Sequence, residues 1–156
     1  MLTPDPLSIL LIRRAQRSGD PWSGQIGLPG GRRGAGDADL VQTAMRESAE
    51  EVGVDLTRAR RIGALSDVAP RTPVLPPIAV RPFVFALPAR LDLRLNAEVA
   101  SAHWVELTRL ADRDARRPTT VMVRGEPLVV SAFMVEDMVV WGMTERILDS
   151  FFQVIS

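Results

Sequence analysis

The sequence predicts an α/β (α+β) fold in which a β-sheet lies between two main helices. Three observations lead there. A continuous apolar run near the start, residues 7–12, has the length and composition of a buried strand. Two stretches, one reaching Val52 and one near the C-terminal end, carry apolar residues at helical spacing. Between them lies a series of short apolar segments broken by Pro and Gly, the pattern of strands and turns. At 156 residues and 46% hydrophobic content, the chain is expected to form one domain, residues 1–156, with a core of its own.

In chain order, residues 7–12 (LSILLI) suit a buried strand that ends at Arg13 and Arg14. Residues 19–37 are dense in Gly and Pro, so loops follow, with at most a short strand near Ile26. Asp37 or Asp39 can cap a helix running to about Val52, with Leu40, Val41, Ala44, Met45 and Val52 as its apolar side and Gly53 as its stop. Strand-like segments come next at 61–66 and 78–87, the second with Pro82 marking an edge or a bulge. Residues 103–107 read as a short strand leading into a helical turn, and the polar run 111–118 as a surface loop. Residues 119–123 and 126–130 flank Arg124-Gly125 as a hairpin. Residues 138–155 space Val139, Trp141, Met143, Ile147, Leu148, Phe151 and Phe152 as a second amphipathic helix whose Met and aromatic stripe is core.

Composition removes several chemistries. Without cysteine there is no disulfide, no thiolate metal ligand and no Cys nucleophile. All 19 basic residues are Arg, so Lys Schiff bases and Lys general bases are excluded, while Arg can still grip phosphate with its planar fork. The 19 acidic residues balance the charge, which argues against a nucleic-acid partner. No long apolar run and no basic leader appear, so neither a membrane span nor a signal peptide is expected, and the cytoplasm is the expected location.

The chemistry concentrates in residues 30–54, GGRRGAGDADLVQTAMRESAEEVGV. On a helix Glu47, Glu50 and Glu51 share one face, where three carboxylates repel one another unless a cation sits among them. Oxygen-only ligands favour hard Mg²⁺ or Mn²⁺ over zinc. Arg46, four residues before Glu50, offsets part of the repulsion and fixes a carboxylate rotamer. The preceding Gly-rich loop offers open space and backbone carbonyls.

This stretch resembles the signature of the Nudix hydrolases: a Gly, five residues, a Glu, seven residues, then Arg-Glu-U-x-Glu-Glu-x-Gly-U with U a bulky aliphatic. Here it reads Gly31, five residues, Asp37, eight residues, then Arg46-Glu47-Ser48-Ala49-Glu50-Glu51-Val52-Gly53-Val54. Asp37 for Glu and the extra residue also occur in the coenzyme A diphosphatase branch, whereas Ser48 stands where an aliphatic is usual. The likeness extends to LLIRRA (10–15), SGQIGLPGG (23–31), Val80 to Phe85, Asn96-Ala97-Glu98-Val99, Trp104-Val105 and WGMTERIL (141–148). That branch carries Arg-x-His before its GQ, where this chain has Asp20-Pro21-Trp22.

The resemblance implies a Nudix-type α/β/α sandwich with a mixed β-sheet, and Mg²⁺-dependent hydrolysis of a nucleoside diphosphate derivative. Coenzyme A or its thioesters lead as substrate; ADP-ribose, a nucleotide sugar or a dinucleotide is the alternative, with a non-catalytic nucleotide-binding module behind them. It further implies Glu47 and Glu51 as main metal ligands, with Glu50 and a loop carbonyl near Gly31 completing the shell. The general base is either Glu47 or an acid from a loop, for which Glu98 stands in the right place. Arg32 and Arg33 either hold phosphate or lie solvated in their loop, and Trp22 either covers a base or packs the loop. His103 reads as structural. Substrate choice is expected to lie in Trp22, the loop 73–77 and the C-terminal helix. Only Met1 and Leu2 remain of a strand that opens this branch: either the start codon is assigned late, or the sheet lacks an edge strand and its bare edge is open to a homodimer partner.

Overall fold

The computed structural model describes residues 1–71 and 77–155. Its main sheet is mixed and six-stranded: β1 (Leu2–Thr3), β2 (Ser8–Arg14), β3 (Ile26–Gly27), β4 (Arg60–Ala64), β5 (Phe83–Ala86) and β6 (Val99–Glu106). β6 runs antiparallel along the whole of β2, from Ser8↔Glu106 to Arg14↔Val99. β1 and β3 pair with β2 near its two ends, and β1 passes the sheet on to β5 in parallel and thence to β4. A second, antiparallel sheet contains β7 (Arg116–Val123), β8 (Glu126–Val135) and β9 (Met138–Trp141). The helices are α1 (Leu40–Val52), the short α2 (Leu107–Ala111) and α3 (Gly142–Ile155).

β2 explains the layering. Its alternate residues Leu10 and Ile12 join Val52, Val54 and Leu56 in a core on the α1 side. Ile9 and Leu11 join Leu148 and Phe151 of α3, with Phe133, Val135 and Val140 of the second sheet, in a core on the other side. A strand covered on both faces needs apolar residues at every position, hence the unbroken run in the sequence. Each such leucine contributes about 1.5–3 kcal/mol by leaving water. The result is the expected α/β/α sandwich.

Several elements differ from expectation. The tail is not all helix: residues 138–141 form β9, because a two-residue turn at Glu136-Asp137 returns the chain onto β8, and Gly142 at φ 69 separates strand from helix. The polar run 111–118 is not all loop, since β7 begins at Arg116, and β8 continues to Val135 rather than ending at 130. The segment 78–87 is a strand only over β5; Pro82 has no N–H to donate, and ahead of it only an isolated Val68↔Val80 bridge pairs. The start of the chain does not bare an edge: Leu2 and Thr3 lie between β2 and β5. The exposed terminal strand of that sheet is β4. Leu40, placed on the apolar side of α1, is 41% exposed at the first position of the helix, while Val41, Met45 and Val52 do pack. The loop read at 73–77 lies outside the described residues, Pro77 excepted. Among the described residues no helix is long and apolar enough to cross a membrane.

Candidate functional site

α1 is held at both ends by backbone chemistry. Asp39 is its N-cap, accepting from the Gln42 N–H at 2.8 Å. At the other end Gly53 takes the left-handed conformation, φ 71, and its N–H returns to the Ala49 carbonyl. The backbone at Arg94 and Asn96 crosses this end, their N–H groups donating to the Val52 and Glu51 carbonyls at 3.0 and 3.1 Å. Ser48, buried where an aliphatic is usual, donates its hydroxyl to the Ala44 carbonyl at 2.7 Å and so leaves no orphan in the core.

The Gly30-Gly31 turn lies directly against the carboxylates of this helix. The Gly30 N–H donates to Glu51 Oε2 at 2.9 Å. A Cβ on Gly31 would meet the Glu47 carboxyl group, so a side chain here would have to displace that carboxylate from its present position. Glu47 is mostly covered, and Glu50 is 54% exposed. The expected convergence of three carboxylates is therefore partial: Glu47 and Glu51 share the glycine turn, whereas Glu50 swings to Arg46. Among the described residues no three acidic or histidine side chains form a cluster of metal-ligand geometry.

Arg46 organises the acids. Its Nη1 reaches Glu47 Oε1 and Glu50 Oε2, both at 2.9 Å, and its Nη2 donates to the Arg32 carbonyl at 3.1 Å. Nε and Nη2 also grip the two oxygens of Asp37 at 3.0 Å each, the fork-on-carboxylate geometry. Asp37 is buried and further accepts from the Gly34 N–H and the Thr43 hydroxyl, at 2.8 and 2.9 Å. The Arg46 fork, above all, holds the Asp37 carboxyl well below the usual carboxylate range. The same partnership raises Arg46, whose charge is fixed in any case. Asp37 is thus the buried anchor of the loop, and Asp39 the cap.

Glu51 behaves oppositely. Burial pushes its carboxyl up to about 7, the neighbouring Glu47 and Glu98 charges add to the shift, and the Gly30 N–H and Arg14 oppose it. A carboxylate buried beside a second carboxylate, with one N–H to satisfy it and no ion pair among the described residues, is short of positive charge even with Arg14 acting on it. This donor set suits a divalent cation: oxygen ligands only, two acids one helical turn apart, and a glycine turn close against them.

The remaining expected residues are placed as follows. Glu98 sits on the segment entering β6, its charge acts on Glu51, and its Oε1 accepts from Arg17 Nη1 at 3.1 Å. Arg33 donates from Nε and Nη2 to the Asp37 and Ala38 carbonyls, so two of its nitrogens close the loop rather than await phosphate. Arg32 is exposed beside the turn, and Trp22 is half-buried in the loop before β3. His103 Nε2 lies 2.9 Å from the Ser101 hydroxyl within β6, a structural contact. Sequence reasoning missed Arg14, Arg17 and Asp20. Arg14 Nη2 pairs with Asp20 at 3.0 Å, and Arg14 also acts on the Glu51 charge. The signal available was three arginines, Arg13, Arg14 and Arg17, close before Gly19-Asp20 at the end of the buried strand.

The family model described as NUDIX domain matches residues 2–123. An uncharacterized protein of Schizosaccharomyces pombe is 43% identical over 107 residues, 65% of this chain and 32% of that one. The uncharacterized Nudix hydrolase NudL of Salmonella paratyphi B is 32% identical over 146 residues, 93% of this chain and 73% of its own length. The chain therefore spans about a third of the yeast relative and about three quarters of the bacterial one. Among solved structures, the NUDIX domain of Shewanella oneidensis NrtR complexed with ADP ribose superposes with a TM-score of 0.60 at 17% identity, covering 99% of this chain and 83% of that one. A Caenorhabditis elegans Ap4A hydrolase does so at 0.55 and 20%, covering 69% and 77%. With the glycine turn, the Arg46 brace and the paired glutamates in place, these matches settle the family: the chain belongs to the Nudix hydrolases.

Proposed function

We propose that this chain hydrolyses the diphosphate bond of a nucleoside diphosphate derivative with the help of Mg²⁺ or Mn²⁺, and that coenzyme A or an acyl-coenzyme A is its substrate. The observation that carries the reading is the Gly30-Gly31 turn clasped between Glu51 and Glu47, with Arg46 bracing Glu47 and Glu50 at 2.9 Å. Glu47 and Glu51 would hold the cation, with Glu50 and a carbonyl of the Gly31 turn beside them. The chemistry such an ion supplies is neutralisation of the diphosphate and a lowered pKa for the attacking water. The protein's own residues do the rest. Arg46 keeps Glu47 and Glu50 in fixed rotamers. The Glu98 carboxylate, on the neighbouring segment, accepts the proton of the attacking water. Arg32 contacts phosphate, and Trp22 covers the base. Most of the catalysis is then positioning and charge stabilisation, as in phosphoryl chemistry generally.

A second reading, ADP-ribose as substrate, draws support from one feature. Asp20 places a carboxylate where the coenzyme A branch has an arginine, and it binds Arg14. The fold likeness to a domain complexed with ADP ribose points the same way.

Incubation with coenzyme A, acetyl-coenzyme A, ADP-ribose and a dinucleotide, with Mg²⁺ and with chelator, separates the readings by product. Coenzyme A is expected to give adenosine 3′,5′-bisphosphate and phosphopantetheine only when Mg²⁺ is present. Turnover of ADP-ribose alone would select the second reading, and cleavage of none of the four would reject both readings.

A further inference from the structure

We infer that Arg14 and Asp20 act as one positioning unit that presets the loop 15–25 for substrate, a deepening that rests on the diphosphatase reading above. The loop is closed at its base, where the Arg14 N–H donates to the Gln25 carbonyl at 3.0 Å. Inside, Ser23 and Gln25 donate to the Asp20 and Trp22 carbonyls at 3.1 and 3.2 Å, and the Arg17 N–H meets the Ser23 hydroxyl at 2.6 Å. Asp20 is the hub. Its Oδ1 accepts from the Trp22 N–H at 2.9 Å, and its Oδ2 accepts from Arg14 Nη2 at 3.0 Å. One carboxylate thereby couples the aromatic residue of the loop to the strand under α1.

Arg14 connects this hub to the acids. Arg14 is the last residue of β2, where the β2–β6 register shifts, and its charge acts on Glu51 of α1. Its Nε is buried and has no hydrogen-bond partner among the described residues, an orphan donor beside the carboxylate helix. The loop has a second tie, Arg17 to Glu98 at 3.1 Å, with the Ala15 N–H on the Glu98 carbonyl at 2.8 Å. That ion pair stands 47% and 44% exposed, against 30% and 18% for Arg14 and Asp20, so the shielded pair is the stronger constraint. A loop ordered before the ligand arrives spares the ordering cost at binding. The unit therefore governs how tightly substrate is held. Neither Arg14 nor Asp20 touches the reacting atoms, and the charge of Arg14 on Glu51 is the one route by which the unit reaches the chemical step.

A double-mutant cycle of Arg14→Gln and Asp20→Asn in the full chain tests this, with steady-state kinetics on the substrate turned over, calorimetric titration with ADP, and thermal melting. Both single variants are expected to raise KM and weaken ADP binding about tenfold; Asp20→Asn, which leaves the Arg14 charge in place, is expected to keep kcat within about twofold, whereas Arg14→Gln also lowers kcat through Glu51. The double variant is expected to be no worse than the poorer single one, because the two residues work as a unit. Asp20→Glu, which retains the charge, is expected to recover most of the affinity. Additive single effects, a fall in kcat at constant KM, or a change in melting temperature with KM and ADP affinity unaltered would each overturn the unit. ADP binding that depends on the pair in a protein that cleaves no diphosphate would support the unit and refute the hydrolase reading, so the two can fail separately.

Discussion

At Glu51, burial works against ionisation and the Gly30 N–H works for it, and burial prevails: the carboxyl titrates near 7 instead of its ordinary 4.5. The folded chain then retains a proton that the unfolded chain releases between those two values. Stability contributed by the neutral acid is present below pH 4.5 and is lost as pH rises to about 7, where the full penalty of a buried charge is reached. The difference is on the order of 3 kcal/mol. The metal-free protein is expected to melt at progressively lower temperature across that window, Glu51→Gln to abolish the decline, and Mg²⁺ to reverse it. Parallel melting curves for wild type and Glu51→Gln across the window would mean that Glu51 is not the strained group. At this scale the sequence disclosed the glutamates, because helical spacing places Glu47 and Glu51 on one face without knowledge of the rest. It did not disclose how Asp37 divides its work with Asp39, or that Asp20 holds Arg14. Those bonds join segments separated by glycine-rich loops, where no periodicity constrains which side chain meets which.

At the scale of elements, the end of α1 does more than stop a helix. Gly53 lets the chain turn while the backbone of Arg94 passes close by, with Arg94 Cβ only 2.9 Å from where a Gly53 Cβ would stand. The same segment continues through Asn96 to Glu98, so the helix stop sets the position of the loop acid. Gly53→Ala is expected to cost about 2 kcal/mol, from a left-handed alanine and a displaced neighbour, and to lower kcat as Glu98 shifts. Urea denaturation and turnover measure the two effects, and a variant with unchanged midpoint and kcat would show that the close approach is not maintained. α1 was legible because cap, spacing and stop all agree on it. The C-terminal stretch was not, because Met138, Val140, Leu148 and Phe151 all face one core, and β-strand and helix residues then merge into a single apolar pattern. Gly142 was the local sign of the change.

For the molecule as a whole, one strand carries the architecture. β2 is covered by α1 on one face and by α3 with the second sheet on the other, and it ends in Arg14 at the site. The layers were readable from the unbroken apolar run, since only a strand buried on both sides affords it. The second sheet was only half readable: its hairpin turn is marked by Arg124-Gly125, but β9 depends on a return at Glu136-Asp137 that has no glycine. The place of Leu2 and Thr3 between β2 and β5 follows from pairing across the fold, which no local pattern encodes.

The central claim, that Glu51 and Glu47 hold the ion on which diphosphate hydrolysis depends, is tested most directly by the turnover of Glu51→Gln at saturating Mg²⁺, beside its circular dichroism and melting temperature. The account predicts a folded variant, at least as stable as wild type at neutral pH, whose kcat has fallen by about a thousandfold or more. A folded Glu51→Gln with wild-type turnover would contradict it.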